Sequence, residues 1–200
     1  MKRIVPMVFI LSLALSAHSE CVQPMETLKG GIDRVIAILE DPTYKDPSQG
    51  QTKDKRIWDV IQGIFDFNEM TRSALAQHGR EFTEEQKNEL SEVFGRHLGN
   101  LYLEKIESGF KGERVTYLGC EMVGENRAQV DTKIIRNNSD IPVDYKMMKQ
   151  GGVWKVYDVK IEGIGDLIYN YRRQFHSILS KESPDTLINL LKRKIKEEKQ

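Results

Sequence analysis

"GVWKVYDVKIEGIGDLIYNYRRQF", residues 152–175, holds the change of period that decides how this chain folds. Trp154 and Val156 share one face of an extended strand. Val159 and Ile161 fall on what strict alternation makes the other face. The phase therefore slips at Tyr157-Asp158. One extra residue does this: it makes a bulge, bends the strand and re-aims its end. Beyond Gly163 and Gly165 the spacing becomes helical. Asp166 opens a helix whose Leu167, Ile168, Tyr171, Phe175, Ile178 and Leu179 form one apolar stripe. A bent strand feeding an apolar helix needs cover for both elements.

Upstream, from Gly112, the period is two. Strands are expected at 113–123, 126–136, 141–149 and 152–162. Short turn signals separate them, "GEN", "RNNSD" and "QGG", and loops this short imply antiparallel neighbours. Ala128, Val130, Thr132 and Ile134 alternate with more polar positions, as do Ile141, Val143, Tyr145 and Met147. Each strand thus has a dry face and a wetter one.

Before the strands lie helices. Met25, Leu28, Ile32, Val35, Ile36 and Leu39 recur at three and four. "DPTYKDPSQG" (41–50) is a turn-rich linker. Ile57, Val60, Ile61, Ile64 and Phe65 mark a second helix, interrupted near Asp66. Asp66 or Asn68 can cap a continuation through Leu75. "TEEQ" (83–86) is a capping box, and it opens a long helix carrying Leu90, Phe94, Leu98, Leu101, Tyr102 and Ile106. Ser183-Pro184 starts a last helix that turns Leu187, Leu190 and Leu191 inward. The expected fold class is α+β: a curved antiparallel sheet of about four strands under several helices, a cystatin-like or nuclear-transport-factor-like cone with helices at both ends.

The first residues read as a leader. Lys2 and Arg3 are positive, Ile4 to Leu15 is an apolar run broken only by Pro6 and Ser12, and Ala17-His18-Ser19 offers a cleavage site before Glu20. This predicts a signal peptide over 1–19 and a single domain over 20–200. Without Lys2 and Arg3 the remaining 28 basic residues face 30 acidic ones, which argues against a general nucleic-acid binder. Export permits a disulfide between Cys21 and Cys120, and two separate thiols remain an equal alternative. The four histidines, at 18, 78, 97 and 176, lack metal-ligand spacing, so no metal is expected.

Catalytic patterns are absent: no G-x-S-x-G elbow, no P-loop, no H-E-x-x-H. Asp158, among strand apolars, is a candidate base for a small exported enzyme acting on an apolar substrate. The plainer reading has it hydrogen-bonded to the bulge backbone. Arg172 and Arg173 edge an apolar helix, and Arg172 is a candidate for greeting an anionic head group. What remains is a surplus of bulky apolar residues.

Several blocks, in order, resemble the toluene-tolerance or MlaC family. They are "FDFNEMTRSAL" (65–75), "TEEQKNELSEVFGRHLGNLYLEKI" (83–106), "VDYKMMKQGGVWKVYDVKIEG" (143–163) and "NYRRQF" (170–175). Two positions depart from the pattern: His78-Gly79-Arg80 stands where a tryptophan is usual, and Gly163-Ile164-Gly165 replaces Gly-Val-Ser. The resemblance implies a monomeric periplasmic carrier, not an enzyme, that uses no cofactor and binds a phospholipid. Its partners would be an inner-membrane MCE-domain ABC transporter complex and an outer-membrane lipoprotein–porin complex, and its role the upkeep of outer-membrane lipid asymmetry. Combined with the faces read above, it implies a lipid lining of Val60 and Ile64 from the second helix, Phe94 from the long helix, and Tyr145, Met147, Val159 and Ile161 from the strands. Ile164, Ile168, Tyr171 and Phe175 would complete it.

Overall fold

Two helices open the described chain, which in this computed structural model comprises residues 21–136 and 140–197. The expected leader at 1–19 and the middle of the 136–140 turn lie outside the described residues. Helix α1 (Val22–Glu40) is followed by two short 3-10 turns and then α2 (Gly50–Ile64). Each 3-10 turn begins at an Asp-Pro pair. The carboxylates of Asp41 and Asp46 accept from the Thr43 and Ser48 amides, both at 2.9 Å, so the polar linker closes on itself.

The expected break after α2 is real. Phe65 turns extended and bridges Val156 in parallel. Asp66 then caps α3 (Phe67–Leu75) by accepting from the Glu69 amide at 3.0 Å. Both halves of the Thr83–Gln86 capping box form at the start of α4 (Glu84–Gly109).

Five strands follow in simple order: β1 (Arg114–Met122), β2 (Arg127–Ile135), β3 (Ile141–Gln150), β4 (Val153–Ile161) and β5 (Gly165–Asp166). All neighbours are antiparallel. Gly151 (φ 55) and Gly152 (φ 86) both take left-handed backbone in the β3–β4 turn, the geometry that matches strand twist. Helices α5 (Leu167–Leu179) and α6 (Pro184–Glu197) complete the α+β fold. The two-residue β5 is the one strand that alternation could not reveal; it arises where 165–166 fold back on 160–161.

The predicted bulge is present. Lys146 pairs with Asp158 and Met147 with Val156, which leaves Tyr157 as the extra residue. A second bulge sits in β1: Tyr117 faces Thr132 and Gly119 faces Asp131, so Leu118 has no partner.

The interior is two cores. A sheet-side core gathers Leu28 of α1, Ile64 of α2 and Val130, Val143, Met147 and Val156 of the sheet. A helix-side core gathers Leu75, Phe94, Tyr171, Phe175 and Leu187 from α3 to α6. Phe65 packs against both. Between α2 and α4, Phe67 and Trp58 stack with ring centroids 5.5 Å apart. They lie so close to α4 that a Cβ at Gly99 would overlap the Trp58 ring, and one at Gly95 would sit 2.9 Å from Phe67.

Cys21 and Cys120 form a disulfide that ties the start of α1 to β1 across a sequence separation of 99. A loop of that length removes about 4–5 kcal/mol of chain entropy from the unfolded state. Replacing both cysteines by serine should lower the urea-unfolding free energy by an amount of that order, with the circular dichroism of the folded state unchanged.

Candidate functional site

Register places one face of the sheet against α1 and α2. Ala128, Val130, Thr132 and Ile134 of β2 stand opposite Met147, Tyr145, Val143 and Ile141 of β3. Val143 and Tyr145 in turn stand opposite Ile161 and Val159 of β4. Burial along this face is uneven. Near the β1–β2 turn and the β3–β4 turn, Ala128, Met147, Trp154 and Val156 are buried. Toward the other end Thr132, Val143 and Val159 are still buried, but Val115, Tyr117, Ile134, Ile141, Tyr145 and Ile161 are only half-buried. Val60 and Ile61 of α2 and Tyr102 of α4 are half-buried as well. Apolar side chains on the inner face of a sheet are normally finished by the layer above. Here that cover is incomplete at one end.

Tyrosines mark this end. Burial pushes the Tyr145 hydroxyl up to about 12, yet the residue keeps accessible surface. Tyr145 thus borders the incompletely covered end of the sheet. Burial also raises the Tyr102 hydroxyl above its ordinary value. At Tyr117, burial is the main cause of the rise, and Asp33 of α1 and Tyr145 add to it.

The residues expected to line one lipid pocket divide between the two cores. Ile64, Met147 and Val159 lie buried in the sheet-side core, with Val60, Tyr145 and Ile161 half-buried against it. Phe94, Ile168, Tyr171 and Phe175 belong to the helix-side core. There Phe94 meets Tyr171 and Phe175 edge-on at 4.8 and 5.2 Å. Ile164 joins neither; it is 49% exposed on the turn after β4.

Arg172 lies elsewhere. It borders a polar cleft of about 530 Å³ together with Arg72, Arg127, Lys146, Tyr157, Asp158 and Asp166. Its Nε donates to the Ser73 carbonyl at 2.9 Å. Lys146 leaves β3 on the face opposite Tyr145 and Met147, so this cleft and the half-covered end are on different sides of the sheet.

Asp158 follows the plainer of its two readings. Oδ1 accepts from the Val159 amide at 2.9 Å and the Ile168 amide at 3.1 Å, and Oδ2 accepts from Lys146 Nζ at 2.9 Å. Both oxygens are committed to the bulge, the start of α5 and an ion pair. Lys146 also donates to Asp166 at 2.5 Å. Burial raises Asp158, and the attraction of Lys146 and the Ile168 amide only partly offsets it. Burial also pushes Asp166 upward, but Lys146, the Tyr169 amide and Asp158 outweigh it and hold Asp166 below its ordinary value.

A second groove, of about 660 Å³, runs between α2 and α4 over Trp58 and Phe67, with a polar rim that includes Asn68, Asn88, Ser91 and Arg96. Three histidine contacts escaped sequence reading. His78 is buried between Glu81 (Nδ1 to Oε1, 2.8 Å) and His176 (Nε2 to Nδ1, 2.9 Å), and His97 Nε2 meets the Tyr171 hydroxyl at 3.0 Å. Among the described residues no cluster of three or more His, Cys, Asp or Glu could hold a metal, and no helix is long and apolar enough to cross a membrane.

Comparison with known proteins supplies the family. The family model described as MlaC protein matches residues 29–193. The chain belongs to the MlaC family. It is 28% identical over 134 residues to the toluene tolerance protein ttg2D of Pseudomonas putida, across 63% of this chain. The chain spans 59% of that relative's length. It also shares the fold of a phospholipid-binding protein from Ralstonia solanacearum solved in complex with a phospholipid. That likeness has a TM-score of 0.79 at 23% identity and covers 90% of this chain and 100% of the other.

The acidic cleft residues give a pH test. Because folding lowers the Asp166 pKa, its stabilising effect is complete above the ordinary carboxylate range and is lost as pH falls through the lowered value. Asp166→Asn keeps an N-cap side chain for the Tyr169 amide while removing the charge. The variant should be less stable than the wild type near neutrality, and the gap should begin to narrow below about pH 5 and keep narrowing as pH falls through the lowered Asp166 value in urea melts. A gap that stays constant with pH would assign the loss to capping instead.

Proposed function

We propose that this protein is a phospholipid carrier. Membership of the MlaC family carries this reading, and the fold shared along the full length of a protein solved with a phospholipid supports it. The leader at 1–19 would export the chain to the periplasm. There the monomer would pass lipid between an inner-membrane MCE-domain ABC transporter complex and an outer-membrane lipoprotein–porin complex, which preserves the asymmetry of the outer membrane.

The acyl chains belong at the half-covered end of the sheet, against Val60, Tyr145 and Ile161. Arg172 opens on the other side of the sheet, so we place the head group at the mouth of the recess near solvent rather than at Arg172. Ile164 is too exposed to be part of the lining and is better suited to the surface near β5. Ile64, Met147 and Val159 form the floor. Phe94, Ile168, Tyr171 and Phe175 support the fold from the helix-side core and touch the chains only if the seam at Phe65 parts.

No chemical step is required of such a protein. Burying a methylene is worth about 0.8 kcal/mol, so roughly thirty of them would gain over 20 kcal/mol relative to water. That exceeds the practical affinity ceiling of about 18–21 kcal/mol. The relevant exchange is between a bilayer and a recess of similar dryness, where the two large terms nearly cancel. Direction comes from the partners.

Native mass spectrometry of the protein without its leader, with chloroform extraction, should find one phospholipid per chain. Ile161→Trp, which fills the recess, should cut loading to about half or less while leaving the circular dichroism intact. A clean apoprotein that takes up nothing from vesicles would sink the carrier reading. Full loading of Ile161→Trp would move the chains elsewhere in the fold.

A further inference from the structure

Helix α4 carries Asn88, Ser91, Glu92, Gly95, Arg96 and Asn100 at helical spacing, so they share one face over roughly 18 Å. This face is one wall of the groove of about 660 Å³. Trp58 and Gln62 of α2 and Phe67 and Asn68 of α3 form the other wall, and no sheet residue lines it. Trp58 and Phe67 are half-buried, so their rings keep open surface. Gln62, Asn68 and Asn88 are exposed, and their side-chain amides make no hydrogen bond to a described residue. Ser91 is only 6% exposed, yet it borders the groove, and its hydroxyl bonds to no described residue. The Asn100 amide nitrogen is sealed at the far end; the Ser91 hydroxyl is not sealed and opens on the groove. The charges cancel. Arg96 donates to Glu92 at 2.7 Å, and no other charged side chain among the described residues lines the groove.

This chemistry narrows the ligand. An anion finds the one cation of the groove already paired. A fatty chain would cover Ser91 and the amides without answering them. Each amide and the hydroxyl can both donate and accept, so the matching groups must do the same. The hydroxyls at the edge of a sugar ring do so, and the C–H groups on its face pack against aromatic rings. We propose that the groove between α2 and α4 binds a neutral oligosaccharide. Ser91, Asn68 and Asn88 hold its hydroxyls, and Trp58 and Phe67 meet its ring faces. The length of the α4 wall suits several linked rings rather than one. The site is separate from the half-covered end of the sheet and does not depend on the carrier reading.

The test titrates the isotope-labelled protein with maltotetraose, cellotetraose and N-acetylchitotetraose, followed by NMR. The two tryptophans give two indole N–H signals, told apart by Trp58→Phe. The Trp58 signal should move saturably with at least one sugar, while that of the buried Trp154 stays. Ser91→Ala should weaken this binding by about fivefold or more. Its urea stability should equal or exceed that of the wild type, because the hydroxyl has no partner to lose and alanine is the better helix former. Phosphatidylcholine vesicles carrying digalactosyldiacylglycerol present the same chemistry on a lipid. Capture that Ser91→Ala weakens, with no response to the soluble sugars, assigns the groove to a glycolipid head group. No response to sugars or vesicles overturns the proposal. So does a neutral Ala-Ser peptide that moves the Trp58 signal as strongly, or Ser91→Ala binding as tightly as the wild type. A less stable Ser91→Ala also overturns it, since the hydroxyl would then have a partner inside the protein. Each of these failures leaves the carrier reading standing.

Discussion

Tyr157 has no partner on β3, and much of the molecule takes its position from that extra residue. Before the bulge, Val156 faces the sheet-side core, and its carbonyl accepts from the Asp66 amide at 2.8 Å. That contact ends α2 and lets Asp66 start α3. After the bulge, Asp158 turns to the outer face. It accepts from the Ile168 amide and from Lys146, and so fixes where α5 begins. Val159 and Ile161 return to the inner face. Without the extra residue these two would point to the opposite side, since a one-residue slip flips every later side chain. The segments at 65–66 and 166–168, a hundred residues apart, are thus both registered on the same short piece of β4.

Local signals were legible in the sequence where one residue type has one physical use. The Thr83–Gln86 box, the Asp66 cap, the glycine turn and the β4 phase slip each announce themselves within a few positions. The β1 bulge did not. The phase does slip, from Val115 and Tyr117 to Cys120 and Met122, but Leu118 is itself apolar, though 58% exposed, so the apolar run Tyr117-Leu118 blurs where it happens. Periodicity also says which face is dry without saying against what. Phe94 and Met147 read alike as inward residues, yet they serve different cores. The division was invisible because it depends on α3 to α6 packing on one another. His78 and His176 meet across 98 residues, and no local pattern encodes such a contact. The disulfide was likewise undecidable from spacing, because what pairs Cys21 with Cys120 is the docking of α1 on β1.

Incomplete cover at one end of a sheet is a cost to the free protein. The half-buried Ile134, Ile141 and Ile161 forgo part of the roughly 25 cal/mol per Å² that full burial would return. The other end is correspondingly firm. Met147 and Val156 are fully buried, and the Cys21–Cys120 bond holds α1 to β1. This polarity suits a carrier. One end keeps the layers in register while the other, on the proposed reading, would be left for hydrocarbon.

On the same proposed reading, two cores would separate folding from loading. In the helix-side core Phe94, Phe175 and Leu187 are almost wholly buried by neighbours from the chain itself, so its stability does not wait for a ligand. A single core shared by protein and lipid would couple the two: each release of lipid would open a cavity, at about 24 cal/mol per Å³ of unfilled volume. Dividing the interior would confine that penalty to the sheet-side half. Phe65, which among the described residues packs against both cores, is where such a penalty would spread from one half to the other. The chain around it is extended and pinned by the Val156 bridge rather than helical, so α2 and α3 are separate helices on either side of it.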